Sequence, residues 1–201
     1  MPALSSSPIA LILTALLAYL LGSVPFGIVM ARVFGLGDLR KIGSGNIGAT
    51  NVLRTGNKPA AALTLILDAA KAGVAVLIAR AALGEDAAQL AGFAAFLGHC
   101  FPVYLQFKGG KGVATFLGAV LALAWPVGLA ACATWLVSAL LFRISSLSAL
   151  VAAALSPVWA TLLGKTDMSL LCLGLAALVF WRHEANIERL ISGTEPRIGK
   201  S

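Results

Sequence analysis

PIALILTALLAYLLGSVPFGIVMA, residues 8–31, decides the fold class of this chain, because this run of 24 residues carries no charged side chain. A helix of that length is about 36 Å long, and the hydrocarbon core of a bilayer is about 30 Å thick. The run therefore predicts a transmembrane helix. A secretory signal peptide would carry positive charge ahead of a shorter apolar core, whereas the first Lys or Arg here is Arg32, after the run.

The rest of the chain has the same character, since 59% of its 201 residues are hydrophobic and 11% are charged. Further spans are predicted at 59–79, 87–107, 144–164 and about 168–181. The uncharged stretch 112–142 is too long for one crossing, and Pro126 near its centre predicts a break because proline removes a backbone donor. Two short spans of about 22 Å each result, unless one is partly re-entrant. We therefore predict one all-α integral membrane domain, residues 1–201, with seven transmembrane helices, some short or broken.

The basic residues are distributed unevenly between the two sides of such a bundle. Of the 15 Lys and Arg residues, those in the first, third, fifth and last polar regions are Arg32, Arg40, Lys41, Arg54, Lys58, Lys108, Lys111, Arg143, Arg182, Arg189, Arg197 and Lys200. Cytoplasmic loops of membrane proteins carry an excess of positive charge. This predicts that the N terminus lies outside and the C terminus in the cytoplasm.

Three compact polar segments interrupt the apolar runs. We call GSGNIGATN (43–51) the first polar segment, FKGGKGVAT (107–115) the second and RHEANIERL (182–190) the third. All three fall on the predicted cytoplasmic side. In so apolar a chain, such clusters indicate a functional site.

The second polar segment contains Lys108-Gly109-Gly110-Lys111-Gly112. Glycines let backbone N–H groups approach an anion closely, and the lysines add positive charge, so the segment predicts a phosphate-binding nest. If a helix starts at 112, its N-terminal dipole points at the same place and Thr115 lies in its first turn. A nucleotide P-loop is excluded, because the GxxxxGK[ST] spacing is absent. The alternative is a flexible turn whose lysines serve only the topology.

The first polar segment presents many hydrogen-bonding groups within a few residues. They come from Gly43, Ser44, Gly45, Asn46, Thr50 and Asn51, with Arg54 shortly after. Backbone and side-chain donors of this kind bind a polyol or a phosphate, and an Arg guanidinium contacts phosphate through two parallel hydrogen bonds. The alternative is an ordinary linker between helices.

The third polar segment places His183 just past the last predicted span, with Asn186 three residues later and Arg189 six residues later. If the helix continues, His183 and Asn186 share one face and present an imidazole and an amide to one ligand. The other histidine, His99, is predicted to be a structural residue near the end of a span.

Asp68 and Lys71 lie about one turn apart inside the second predicted span. Ionised groups are costly in a membrane unless they are paired or face a polar interior. We predict an internal salt bridge that fixes the bundle, with the lining of a polar cavity as the alternative.

Composition excludes several classes of partner and site. The net charge of +7 fits anionic lipid headgroups and phosphate-bearing substrates. Nucleic acid is not a predicted partner, because the chain has no soluble basic domain. Cys100, Cys132 and Cys172 all lie in apolar spans and form no CxxC pair, so neither a disulfide framework nor a zinc site is predicted.

The motifs together resemble one family, the bacterial acyl-phosphate-dependent glycerol-3-phosphate acyltransferases of the inner membrane. The similarity covers nearly the whole chain. It includes LLGSVPFG (20–27), LRKIGSGNIGATNVLR (39–54), LDAAKAG (67–73), GHCFPVYLQFKGGKGVAT (98–115) and RHEANIERLISGTE (182–195). The resemblance implies a seven-span enzyme without metal or other cofactor. Such an enzyme moves a fatty acyl group from acyl phosphate to the 1-hydroxyl of sn-glycerol 3-phosphate, giving lysophosphatidic acid and phosphate.

The resemblance also implies roles for individual residues. Ser44 and His183 would lie at the reacting centre, Lys111 and the adjacent glycines would hold phosphate, and Arg54 and Asn186 would hold glycerol 3-phosphate. Either His183 or a phosphate of the substrate or leaving group could take the proton of the attacking hydroxyl.

Other functional classes are less consistent with the sequence. A small transporter of a phosphate-bearing polyol remains the main alternative, but no internal repeat is present of the kind many transporters show. A membrane phosphatase or phosphotransferase would need clustered aspartates for metals or a second motif histidine. An acyltransferase with an HxxxxD motif would need Asp where this chain has Glu188.

Overall fold

The computed structural model describes residues 2–199. Met1, Lys200 and Ser201 lie outside the described residues, so the predicted sides of the two chain ends, and the place of Lys200 among the basic residues, concern positions that are not described. Within 2–199 all of the regular secondary structure is helical, with no strand. The α-helices are α1 (Pro8–Gly22), α2 (Phe26–Val33), α3 (Ala49–Leu53), α4 (Lys58–Leu83), α5 (Glu85–Cys100), α6 (Val113–Leu123), α7 (Trp125–Phe142), α8 (Ser145–Leu162), α9 (Ser169–Arg182) and α10 (Glu184–Ile191). Short 3-10 helices occupy Leu39–Lys41, Val103–Leu105 and Thr166–Met168.

The span predicted over 8–31 lies within the apolar segment Pro8–Val33, which is long enough to cross a membrane, but it is interrupted and is not one continuous helix. Helix α1 ends at Gly22 and α2 begins at Phe26. Pro25 between them has no N–H to donate and pushes Val24 out of the helical region. The break leaves the Val24 carbonyl available inside the bundle.

The stretch 112–142 breaks where the sequence predicted, but unevenly. The chain turns at Ala124, which is extended at φ −149°, just before Trp125 and Pro126. Helix α6 has 11 residues and α7 has 18, or about 16 and 27 Å. The expectation of two equal spans is thereby corrected.

The third predicted span is also shorter as a helix. Helix α5 ends at Cys100, and Phe101 after it lies outside the helical region at φ −132° and ψ 62°. The cause is Pro102, which disfavours helical geometry at the preceding residue. A 3-10 turn then leads into the second polar segment.

In the part of the chain that the structure describes, five segments are long and apolar enough to cross a membrane: Pro8–Val33, Lys58–Leu83, Glu85–Leu105, Trp125–Phe142 and Ser145–Leu162. Thr166–Arg182 and Glu184–Ile191 meet at a bend of 66° and count as a sixth segment only if the bent pair is taken as one span. Helix α6 is apolar but shorter than these. The all-α architecture with several apolar segments long enough to cross a membrane is confirmed. The count of seven crossings stays a prediction.

Small residues bring the helices of the bundle into close contact. A Cβ atom added to Gly98 of α5 would lie 2.2 Å from the carbonyl oxygen of Tyr19 in α1. At Gly118 of α6, a Cβ would lie 2.1 Å from the carbonyl oxygen of Ala69 in α4. Backbones approach this closely only where side chains are absent.

At one end of the bundle, acidic side chains at the start of α5 bind neighbouring parts of the chain. The Asp86 carboxylate accepts hydrogen bonds from the backbone N–H groups of Ser5 (2.9 Å) and Ser6 (2.8 Å). Nearby, Arg80 pairs with Glu85 at 2.8 Å. The Arg80 guanidinium also donates to the last carbonyls of α6, those of Ala122 and Leu123. The three polar segments gather at the other end.

Candidate active site

Asn51 organises the first polar segment. Its Oδ1 accepts from the backbone N–H of Ser44 (3.1 Å), the Ser44 hydroxyl and Arg54 (both 3.4 Å). Its Nδ2 donates to the carbonyls of Leu39 (2.9 Å) and Asn46 (2.7 Å). The buried Asn51 amide therefore holds the shape of the segment, while Ser44 and Arg54 remain exposed.

The glycines of the second polar segment are packed against the end of α5. The N–H groups of Gly109 and Gly110 donate to the carbonyls of Cys100 (3.2 Å) and His99 (3.1 Å). This differs from the expected nest, because these two N–H groups are already engaged. Glycine is required here for close approach, since a Cβ on Gly110 would lie 2.3 Å from His99 Nε2.

The start of α6 lies where the sequence predicted. Gly112 adopts φ +80°, a conformation that favours glycine, and α6 begins at Val113. Thr115 lies in the first turn, and among the described residues its fully buried hydroxyl oxygen has no hydrogen-bond partner. The N-terminal dipole of α6 therefore points toward Lys111 and the other polar segments.

Two arginines not selected from the sequence tie the polar segments together. Arg40 Nη2 donates to the carbonyl of Lys108 at 2.7 Å. Arg182 donates to the carbonyls of Gly110 (3.2 Å) and Gly109 (3.3 Å). The backbone of the second polar segment is thus held between the region of the first and the start of the third.

The third polar segment does not continue α9 as the sequence analysis supposed. Helix α9 ends at Arg182, and α10 leaves at an angle of 66°. His183 and Asn186 are nevertheless both buried, 3% and 4% exposed. The bend replaces the shared helix face as the reason that these two side chains turn inward.

His183 is oriented by a single backbone contact. Its Nδ1 lies 2.8 Å from the carbonyl oxygen of Val179. A carbonyl only accepts hydrogen bonds, so Nδ1 carries the proton and Nε2 keeps its lone pair. Burial lowers the pKa of His183 to about 4, although the Val179 contact opposes the shift. The imidazole is therefore neutral near pH 7, with Nε2 able to accept a proton.

Lys111 reaches the third polar segment. Its Nζ donates to Oδ1 of Asn186, whose Nδ2 donates to Oε1 of Glu195 at 2.5 Å. Burial lowers the pKa of Lys111 to about 8; the Glu195 carboxylate opposes this, and Arg189, Arg182 and Arg54 add to it. Charges of the third polar segment, of Arg54 just after the first and of Glu195 therefore act on one ammonium group.

Glu195 is the main site residue that sequence reasoning missed. Its carboxylate accepts from Ser146 (2.6 Å), Asn186 (2.5 Å) and Arg189 (2.6 Å). Burial alone would raise the pKa of Glu195, but these hydrogen bonds outweigh it and lower the pKa. The residue follows the end of α10, where no helical periodicity points to it.

Thr50 of the first polar segment contacts the start of α8, where its Oγ1 lies 3.3 Å from Ser145 Oγ. Within residues 2–199, no hydrogen bond joins Ser44 to His183, the pair expected at the reacting centre. Nor do three His, Cys, Asp or Glu side chains of the described part of the chain come together as metal ligands.

The sequence profile described as "Glycerol-3-phosphate acyltransferase" matches residues 12–193. The chain belongs to the glycerol-3-phosphate acyltransferase family. Relatives of that name are 70% identical over 200 residues in Jannaschia sp. (strain CCS1) and 62% identical over 200 residues in Ruegeria pomeroyi. Each match covers 100% of this chain and 98% of the relative.

Two solved structures resemble this acyltransferase. One is PlsY (YgiH), described as an integral membrane glycerol 3-phosphate acyltransferase, in its glycerol 3-phosphate form. It is 40% identical with a TM-score of 0.89, covering 94% of this chain and 96% of the other. The lysophosphatidic acid form of PlsY is 37% identical with a TM-score of 0.86, covering 94% and 95%.

Proposed function

We propose that this acyltransferase takes its acyl group from acyl phosphate and passes it to the 1-hydroxyl of sn-glycerol 3-phosphate. The products are lysophosphatidic acid and inorganic phosphate. The observation that carries the proposal is the partly buried Lys111, linked through Asn186 to Glu195, with the buried His183 three residues before Asn186 and held by the Val179 carbonyl. The substrate and product forms of the similar PlsY structures support the same reaction.

The reaction requires the enzyme to orient its two substrates and to stabilise the charge that develops during acyl transfer. The hydroxyl oxygen forms a new ester bond to the acyl carbon, the bond from that carbon to the phosphate oxygen breaks, and the hydroxyl proton goes to a base. Because acyl phosphate is already activated, no acyl-enzyme is required. Two anions must be held side by side, and the charge that develops must be stabilised.

We assign Lys111 and the N terminus of α6 to the phosphate of the donor. The charge and the dipole act on the same anion. Gly112 and Thr115 lie at that helix start, and Lys108 adds charge on the same face. The glycines Gly109 and Gly110 hold the backbone that carries Lys111.

Glycerol 3-phosphate is assigned to the first and third polar segments. Arg54 and Asn186 bind its phosphate and hydroxyls, and Ser44 lies at the acceptor hydroxyl. His183 Nε2 takes the proton in this scheme, with the leaving phosphate as the alternative base. Gly43, Gly45, Asn46, Thr50 and Asn51 build the loop that presents Ser44 and Arg54.

We propose further that the chain is one domain that crosses the bacterial inner membrane seven times, with its site on the cytoplasmic side. Contacts at the two ends of the bundle support this count. The three polar segments meet at one end, and Asp86 and Arg80 mark the other. Helix α6 runs from the first of these ends toward Arg80, so it acts as a short span.

Purified protein incubated with acyl phosphate and glycerol 3-phosphate in EDTA tests the proposal. Lysophosphatidic acid and phosphate should appear in equal amounts. Acyl-thioester donors, offered in parallel, should give little product. Turnover from thioesters alone, or turnover that requires an added divalent ion, would contradict the proposed donor or the metal-free reaction.

A further inference from the structure

Three ionisable side chains lie inside the bundle and have no role in the proposed chemistry. Asp68, Lys71 and His99 are 2%, 3% and 5% exposed. The predicted salt bridge between the first two is confirmed, with Lys71 Nζ 2.8 Å from Asp68 Oδ1. Ionised groups at such a position are costly, and in membrane proteins they usually mark function.

Lys71 makes three contacts, one for each of its N–H donors. They go to Asp68 Oδ1 (2.8 Å), the Val24 carbonyl (2.9 Å) and His99 Nδ1 (3.0 Å). An ammonium group has no acceptor, so His99 Nδ1 must accept and the ring proton lies on Nε2. The cluster fixes both the position and the tautomer of the imidazole, and it uses the carbonyl freed by the break between α1 and α2.

The His99 ring is in turn packed against Gly110 of the second polar segment. A Cβ added to Gly110 would meet Nε2, Cε1 and Cδ2 of His99 at 2.3, 3.1 and 3.2 Å. The Gly110 N–H also donates to the His99 carbonyl at 3.1 Å. Gly110 therefore contacts His99 in two ways: through its backbone N–H, and through the side of its Cα where another residue would carry a Cβ.

We infer that Asp68, Lys71 and His99 are positioning residues for acyl transfer, which act through Gly110 to hold Lys111 at the reacting centre. The order of contacts runs from the buried ion pair to the imidazole, then to the glycine beside Lys111. The inference rests on the proposed function for its activity readout, and it also predicts a structural effect that does not depend on catalysis.

The double variant Asp68→Leu/Lys71→Met tests the inference, because it removes both charges together and leaves neither buried alone. Four quantities are measured: Tm in detergent, hydrogen exchange of the backbone amides of 107–112, kcat, and KM for acyl phosphate. We expect Tm to stay close to wild type and the Gly109 and Gly110 amides to exchange faster. A small misplacement of a reacting group lowers rates strongly, so kcat should fall about a hundredfold.

Unchanged exchange, or normal kcat despite faster exchange, would overturn the inference and leave the cluster a purely structural ion pair. If wild-type protein transfers no acyl group at all, the exchange measurement still decides whether the cluster holds the segment. Should the double variant fail to fold, a cycle of His99→Ala and Gly110→Ala replaces it. The loss of kcat in the combined His99→Ala/Gly110→Ala variant should then be far smaller than the product of the two single losses, because both substitutions act on one contact. Losses that simply multiply would overturn the inference.

Discussion

Lys111 carries the charge on which the proposed mechanism depends. A charge-assisted hydrogen bond contributes about 1.5–3 kcal/mol, so Lys111→Ala should lower turnover at least about tenfold. The His183→Ala variant should also lose most of its turnover, because the substitution removes the best-placed base. Steady-state rates with saturating acyl phosphate measure both effects.

Lys58→Ala is the matched control for these variants. Lys58 has the same charge at the same end of the bundle, but it is exposed at the start of α4 and outside the polar segments. Its activity should change little. Equal losses in all three variants would indicate a general electrostatic attraction of anionic substrates instead of a defined site.

The pKa of Lys111 gives the reaction a pH dependence. Since burial lowers this pKa to about 8, the ammonium loses its proton as the pH rises through that value. We expect kcat/KM, which reports the free enzyme, to decline above this pH. In Lys111→Arg the guanidinium keeps its charge, so the residual activity should lose this alkaline decline. An unchanged decline would assign the ionisation to another group.

At the scale of elements, α6 is a short helix that depends on close packing. Gly118→Ala places a Cβ 2.1 Å from the Ala69 carbonyl oxygen of α4. Overpacking of this kind costs about 1–3 kcal/mol, so Tm in detergent should fall. Activity should fall with it, since Lys111 lies two residues before the start of α6. Gly174→Ala in α9 is the control, because its Cβ meets only Phe93 Cε2 at 3.6 Å. Similar Tm values for the two variants would mean that α6 and α4 are less tightly packed.

The bend between α9 and α10 is an element-scale feature with a direct effect on the site. It brings Asn186 to Lys111 and lets Glu195 contact Ser146 of α8 and Arg189 of α10. Three parts of the chain are thereby fixed by one carboxylate.

For the whole molecule, the charge distribution predicts the topology. A tag fused after Ser201 should be cytoplasmic and one fused before Met1 should be on the opposite side, as the positive-inside rule requires for an odd number of crossings. Protease accessibility of the two tags in oriented vesicles checks this. If both tags lie on one side, the number of crossings is even and α6 does not act as a span.

Local features of the sequence are enough to predict the class of fold and the segments that make up the site. In lipid every backbone polar group must be satisfied within the helix, so the length of an apolar run suffices to predict a span. The break near Trp125, the ion pair of Asp68 with Lys71, and the start of α6 were predicted for equally local reasons. The polar segments that contribute Lys111 and His183 to the candidate site were conspicuous because the rest of the chain is so apolar.

The contacts between these segments depend on how the helices pack in three dimensions. Arg40 contacts Lys108, and Lys111 contacts Asn186, across 68 and 75 residues of chain. No local period reports such contacts, because they depend on which helices pack together and where each helix ends. For this reason the sequence did not reveal that Glu195 belongs to the candidate site. Nor did it reveal that the N–H groups of Gly109 and Gly110 hold the second polar segment against α5 instead of binding a ligand.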